Sequence, residues 1–537
     1  MPARRSHWGW GLEEAIPADE DLGTQAAAVR AGLGLGAPPD DEVELPLPLD
    51  KVALRACRVP PPPALAEVCS TEVYDRALHT YGRSYRDVIQ GFRGRFDHAP
   101  DVVAYPRDEA GIAAVLEWAE GANAAVIPFG GGTSVVGGVE PRLEGALGAR
   151  YDGVVSLDLG HLDQVVEVDR TSRAALIQAG ATGPGLEAQL ADHGLTLRHF
   201  PQSFELATLG GWIATRSGGH YATLYTHIDD LVESVRTITP RGTWESRRLP
   251  GSGAGPSPDR LMLGSEGILG VITQAWVRVQ DKPTHRASAG VRFRSFDAAV
   301  EAVRALSQSG LHPTNCRLID ATEARLTAGG DGEHALLVLG FESADHPVDP
   351  WMARARELAE AHGGLVDPPP AGRGGMVGAW RDSFLRAPYL RNLFPTAGVL
   401  GETFETAITW DRFPEFHRSV KEAAVEAIRT TCGGGVVSCR FTYAYPDGPA
   451  PYYTIYAPAR RGEEVEQWDA LKAVVSDALI ACGGTITHHH AVGRDHRPWY
   501  DRQRPAPFAD ALRAAKGAVD PAGILNPGVL IDPGDRG

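Results

Sequence analysis

Cysteine is scarce in this 537-residue chain: it has six, and no two of them form a C-x-x-C pair. The spacing of Cys57, Cys69, Cys316, Cys432, Cys439 and Cys482 fits neither a zinc nor an iron–sulfur pattern. No metal site is expected, and the thiols read as free, in a reducing compartment. No stretch approaches the roughly 18 uncharged apolar residues of a membrane span. The opening MPARRSHWGWGLEEA lacks the apolar run of a secretory signal, and the closing GDRG is not the peroxisomal S-K-L address. The expected location is therefore the cytoplasm. Positive charge is also short, with 52 Lys and Arg against 68 Asp and Glu, a net charge of −16. That balance argues against a protein that tracks nucleic-acid phosphates. There is no fixed-period repeat, which argues against solenoids and propellers. Hydrophobic residues at 43% are ordinary for a globular chain with several cores.

The elements point to an α+β fold. Residues 1–95 form an opening segment, extended or helical, whose Pro-rich PLPLDKV and VPPPPAL stretches are expected to wrap the surface. Residues 96–280 read as one α+β domain. In it, Val102–Ala104 and Ala125–Ile127 are short apolar strands. Asp108 caps a helix with Ile112, Val115, Leu116 and Ala119 on its inner face. From Ser288 the rhythm is strand–helix–strand, twice over, as in a ferredoxin-like layer. This gives a second unit, 281–487, and a closing segment, 488–537.

Three segments carry chemistry. Pro128-Phe129-Gly130-Gly131-Gly132-Thr133-Ser134 follows a buried strand. Its glycines let successive N–H groups converge, which suits a pyrophosphate, although a Gly-rich surface turn has the same composition. Pro201-Gln202-Ser203-Phe204-Glu205-Leu206-Ala207, continuing to Ala214-Thr215-Arg216-Ser217, is small and Gly-rich enough for a cofactor to lie on the backbone, or for a packed turn. Glu266-Gly267-Ile268-Leu269-Gly270-Val271-Ile272 is either a cofactor edge or a tight turn into a strand.

In this order the three segments resemble the FAD-binding domain of the vanillyl-alcohol-oxidase (PCMH) type. That fold has a two-subdomain FAD-binding domain and, here, a ferredoxin-like cap. Flavin enzymes of this kind hold FAD through backbone N–H groups. The resemblance narrows further. Trp8-Gly9-Trp10-Gly11, PQSFELATLGGWIATRSGG, Phe404-Glu405-Thr406 and His488-His489-His490 are similar to the alkyldihydroxyacetonephosphate synthase family. The upstream Ala444–Pro449 stretch lacks the metal-binding G-D-G-N-x-H sequence of flavin-linked hydroxyacid dehydrogenases. The ending Asn526-Pro527-Gly528 is more typical of hydroxyacid oxidoreductases, which keeps an FAD-dependent oxidoreductase of a 2-hydroxyacid or alcohol as the alternative.

The resemblance implies an exchange of the acyl group of acyl-dihydroxyacetone phosphate for a long-chain fatty alcohol, an ether-lipid step without net redox. It implies lipid substrates, a homodimer and peripheral membrane contact. Tyr452 falls at the catalytic tyrosine; alone it reads as a half-buried strand residue. A phenol needs a nearby cation or imidazole to act as a base, and His488, His489 and His490 supply imidazoles. Three consecutive residues of a strand cannot all face one site, so a turn is expected to gather two of them. As bare sequence the run also reads as a surface metal-binding tract. Arg391 and Arg317 match substrate-binding arginines suited to phosphate or carboxylate; a lone arginine is otherwise a salt-bridge partner. Residues 128–134 offer no His or Cys for a flavin bond, so noncovalent FAD is expected.

Overall fold

The computed structural model describes residues 4–36, 43–367 and 375–534. The last three residues of the GDRG ending lie outside the described residues. Two sheets build the first half. Strands β1 (Cys69–Ser70), β2 (Val102–Ala104), β3 (Ala124–Phe129) and β4 (Gly153–Asp158) form a sheet in the order β1-β2-β4-β3. Strands β2, β4 and β3 are parallel and almost wholly buried, as a sheet covered on both faces must be. Next come β5 (Val165–Asp169), β6 (Ala174–Gln178), β7 (Leu195–Thr196), β8 (Val232–Thr239), β9 (Gly242–Glu245), β10 (Val271–Arg278) and β11 (Gln280–Asp281). Five of these form an antiparallel sheet, β5-β6-β10-β8-β9, and β7 pairs with β11. Asp108 accepts the Gly111 N–H and starts helix Glu109–Gly121, which buries Ile112, Val115, Leu116 and Ala119 as the spacing predicts.

The second half is one seven-stranded antiparallel sheet. Strands β12 (His285–Phe293), β13 (Asn315–Ile319), β14 (Ala335–Ser343), β15 (Leu365–Val366), β16 (Val399–Glu405), β17 (Val436–Ala444) and β18 (Pro449–Pro458) run in the order β15-β12-β14-β13-β17-β18-β16. The first four, with helices Phe296–Ser307 and Asp349–Ala361, make the 4-1-3-2 order of a ferredoxin-like unit. The last three, with helices Phe413–Cys432 and Glu464–Ala481, repeat it without a fourth strand. The two units join at β13 and β17, where Leu318 pairs with Phe441.

The Pro-rich stretches lie mostly at the surface, but the opening segment as a whole is more helical and more buried than their composition suggests. Helices Asp19–Gly32, Val73–Leu78 and Tyr85–Phe92 lie within it. Ser84 and Asp87 form a reciprocal capping box. Tyr85, Val88, Ile89 and Phe92 follow at helical spacing and are all buried, each contributing about 1.5–3 kcal/mol. The Pro-rich stretch sends Val52 into a cluster with Ala77, Tyr81 and Phe96. Burial won because a long chain has apolar faces to cover that local composition does not reveal. The segment also reaches the glycine loop: the Arg83 N–H donates to the Ser134 carbonyl at 2.5 Å. No helix among the described residues is long and apolar enough to cross a membrane.

Candidate functional site

A cavity of about 1650 Å³, counted to its open mouth, lies between the two halves. The glycine loop forms one wall, and all of Pro128–Ser134 borders the space. The glycines are sterically required. A Cβ on Gly130 would sit 2.3 Å from Thr208 Oγ1, and one on Gly131 only 2.1 Å from the Leu206 carbonyl oxygen. The N–H groups of Gly131, Gly132 and Thr133 have no hydrogen-bond partner among the described residues. Converging free N–H groups fit the pyrophosphate of a dinucleotide.

The other two segments reach the cavity in part. Pro201, Gln202, Ser203, Ala207, Ala214, Thr215, Ser217, Glu266, Gly267, Gly270 and Ile272 border it. Phe204, Glu205, Leu206, Arg216, Ile268, Leu269 and Val271 do not. Phe204 stacks on Trp212. Glu205 accepts from the Tyr389 hydroxyl, and Leu206 packs on the Trp8–Trp10 cluster. Arg216 pairs with Asp229 at 2.7 Å. Ile268, Leu269 and Val271 alternate into the core. Within each contiguous segment, neighbouring residues point different ways.

The cap supplies the opposite wall. Across β16, β18 and β17, Glu405, Tyr452 and Arg440 stand directly opposite one another, so they share one face. The Arg440 guanidinium lies 3.9 Å over the Tyr452 ring and donates to Glu323 at 3.0 Å. Tyr453 faces the other way, wholly buried, with its hydroxyl 3.1 Å from His417. Arg317 and Arg391 both border the cavity. Among the described residues Arg317 has no carboxylate partner and donates only to the His220 carbonyl, at 3.4 Å. Burial drops its guanidinium to about 10. Arg317 Nε, Arg440 Nε and Thr442 Oγ1 are buried without partners. Unpaired buried donors are costly, and an anion would satisfy those on this face. Arg440, Thr442 and Tyr443 escaped the sequence reading. The signal was available in Arg440 and Thr442, two residues apart on one strand.

The histidine run is a turn organised by one carboxylate. Glu405 accepts the backbone N–H groups of His488 (2.5 Å), His489 (3.0 Å) and His490 (2.9 Å), and the Thr487 hydroxyl. Burial pushes the Glu405 carboxyl up, but His489, His490 and His488 outweigh it and hold the group well below the usual range. The turn sends His489 and His490 to the cavity beside Tyr452, while His488 does not border it. His488 instead stacks on Tyr443 and meets the Tyr445 hydroxyl at 2.8 Å. Glu405, His488 and His489 bring metal-ligand atom types within 4.8 Å of one another; the turn itself accounts for that closeness. A second carboxylate holds the other end: Glu266 accepts the Val492 and Gly493 N–H groups at 2.9 and 2.8 Å. Burial pushes Glu266 up to about 7 against those bonds. Asn526 ties its backbone in by donating to the Glu266 carbonyl at 2.7 Å. The opening segment contributes Trp10, fixed by two hydrogen bonds with Asn392.

Known proteins are similar to this chain. Residues 100–246 match the FAD binding domain family, and residues 282–530 match the C-terminal domain of FAD linked oxidases. The alkyldihydroxyacetonephosphate synthase of Caenorhabditis elegans is 31% identical over 495 residues, covering 86% of this chain and 81% of that protein. Its namesake in Dictyostelium discoideum is 30% identical over 483 residues, covering 85% and 77%. A solved alkyldihydroxyacetonephosphate synthase structure has the same fold, with a TM-score of 0.81 at 24% identity over 97% of both chains.

Proposed function

This chain belongs to the alkyldihydroxyacetonephosphate synthase family, and we propose that it exchanges the acyl group of acyl-dihydroxyacetone phosphate for a long-chain alcohol. FAD is the cofactor. The observation that carries the reading is the pair of facing walls: free N–H groups on the glycine loop, and opposite them Tyr452, His489, Arg317 and Arg440, each arginine with a buried Nε that has no partner among the described residues. When bound, the flavin supplies the ring on which the substrate carbon is activated, without net redox.

The chain's residues divide the remaining work. Gly130–Ser134, with Gln202, Ser203, Thr215 and Glu266, cradle the cofactor. Arg317, Arg391 and Arg440 hold the phosphate or the departing carboxylate, both anions suited to guanidinium pairs. Tyr452 stands between the Arg440 cation and the imidazoles of His489 and His490, placed to move a proton at the substrate. His490 stays neutral: burial holds it well below the usual histidine range. Trp10 and Phe384 help exclude water at the rim. The division of labour follows 1–95 as a strap, 96–280 for FAD, 281–487 as cap and 488–537 as the return to the site.

The test is to incubate the FAD-loaded protein with palmitoyl-dihydroxyacetone phosphate and hexadecanol. Ether product with released palmitate and no lasting flavin reduction is the expected result. No product from intact holoprotein, together with anaerobic bleaching by a 2-hydroxyacid, would replace the reading with an oxidoreductase. Noncovalent FAD is part of the same proposal, since residues 128–134 offer no histidine or cysteine for a flavin bond; yellow colour retained on an acid-precipitated pellet would refute this. The same reading includes a homodimer that draws lipid from a membrane surface, checked by light scattering and vesicle flotation.

A further inference from the structure

His488 faces away from the cavity, yet it lies in a closed hydrogen-bond chain. His489 Nδ1 is 3.1 Å from His488 Nδ1. His488 Nε2 is 2.8 Å from the Tyr445 hydroxyl. That hydroxyl is 2.9 Å from Thr226 Oγ1, which is 3.2 Å from His227 Nδ1. His227 Nε2 ends the chain 3.1 Å from the His488 carbonyl oxygen. Burial first, and neighbouring imidazoles next, lower both His227 and His488, so each is neutral with one N–H.

One end fixes every proton. A carbonyl only accepts, so His227 Nε2 carries the hydrogen and Nδ1 is bare. The Thr226 hydroxyl therefore donates to Nδ1 and accepts from the Tyr445 hydroxyl. Tyr445 in turn accepts from His488 Nε2–H, which leaves His488 Nδ1 bare. His489 Nδ1 must then be the donor, and Glu405 Oε2 at 3.3 Å favours the same assignment. His489 Nε2 has no partner among the described residues, and the side chain borders the cavity.

We infer that His227, Thr226, Tyr445 and His488 are positioning residues that lock His489 in the Nδ1–H tautomer and present a bare Nε2 to the substrate. The inference rests on the proposed exchange only for the proton it serves. In that exchange the substrate's alkyl C–O bond breaks and its electron pair leaves with the carboxylate. A C–O bond forms to the alcohol, and the alcohol's proton must go to a base. His489 Nε2 takes it, and Glu405 beside Nδ1 balances the resulting imidazolium. The groups facing His489 are His488, His490, Glu405, Tyr443 and Tyr452.

The decisive experiment is nitrogen NMR of the ¹⁵N-histidine-labelled holoprotein, with His489→Asn used to assign the signal. A bare, pyridine-type Nε2 is expected at His489. Thr226→Val removes the hydroxyl at nearly constant volume and should populate the other tautomer; Thr226→Ser should restore the first. Exchange kcat should fall about tenfold or more in Thr226→Val at unchanged KM, and recover in Thr226→Ser. Tyr445→Phe cuts the next link and serves if Thr226→Val does not fold. A protonated Nε2 in the unmodified protein, or a tautomer indifferent to both variants, overturns the inference. If the unmodified protein makes no ether, the NMR result still decides the tautomer, and the failure falls on the proposed reaction alone.

Discussion

Replacing Glu405 by Gln should loosen the histidine turn more than any other single-atom exchange in the cap. Each carboxylate oxygen accepts two hydrogen bonds, His488 and His489 N–H on Oε2, and His490 N–H with the Thr487 hydroxyl on Oε1. In either rotamer a Gln amide nitrogen points its hydrogens at one of these donor pairs. Two bonds to a charged acceptor are lost, at about 1.5–3 kcal/mol each, or about 3–6 kcal/mol in all. For a unit of about 250 residues, 1 kcal/mol moves Tm by about 2–4 °C. Glu405→Gln should therefore lower the cap transition by about 6 °C or more, read by circular dichroism and flavin fluorescence. A melting curve that overlays the unmodified one would refute the claim that the carboxylate holds the turn. The pH dependence has a definite sign. A carboxyl held below its unfolded value stabilises fully above about pH 4.3 and loses that contribution as pH falls through the folded value. The unmodified protein should lose stability on acidification below about pH 4.3, and Glu405→Gln should have lost that part of the slope.

Tyr452→Phe should keep FAD and abolish exchange, whereas Tyr453→Phe should retain exchange and cost only the His417 hydrogen bond, about 1 kcal/mol by urea titration. Exchange surviving intact in Tyr452→Phe would remove the phenol from the chemistry. Gly131→Ala places a methyl against the Leu206–Ala207 backbone, 2.1 Å from the Leu206 oxygen and 2.7 Å from the Ala207 Cα; the purified protein should lack flavin absorbance, and a full FAD complement would contradict the steric argument. Arg317→Met keeps the long side chain but removes the guanidinium that has no carboxylate partner among the described residues, so KM for the phosphate substrate should rise about 10- to 100-fold, the equivalent of one charged hydrogen bond. An unchanged KM would place the anion elsewhere.

What could be read from the chain follows from how far apart the interacting residues lie. Period-2 and period-3.6 patterns are local, so the Asp108 cap and the buried face of helix Glu109–Gly121 were legible. The glycine loop was legible because three glycines after a buried strand leave few conformations. The capping box at Ser84 and Asp87 was equally local and was overlooked, because prolines upstream coloured the whole opening segment. The site's cations and carboxylates were not legible in the same way. Glu405 and His488 are 83 residues apart, and Glu266 and Val492 are 226 apart; only the tertiary fold brings them together. The three histidines show the limit most directly. Their types announced proton chemistry, but in a strand all three would have been equivalent up to alternation. A carboxylate from another strand bends them into a turn that sends two to the cavity. The hydroxyls of Tyr445 and Thr226, with His227, then give the third a separate task. The function of each imidazole is thus set by a distant partner rather than by its place in the run.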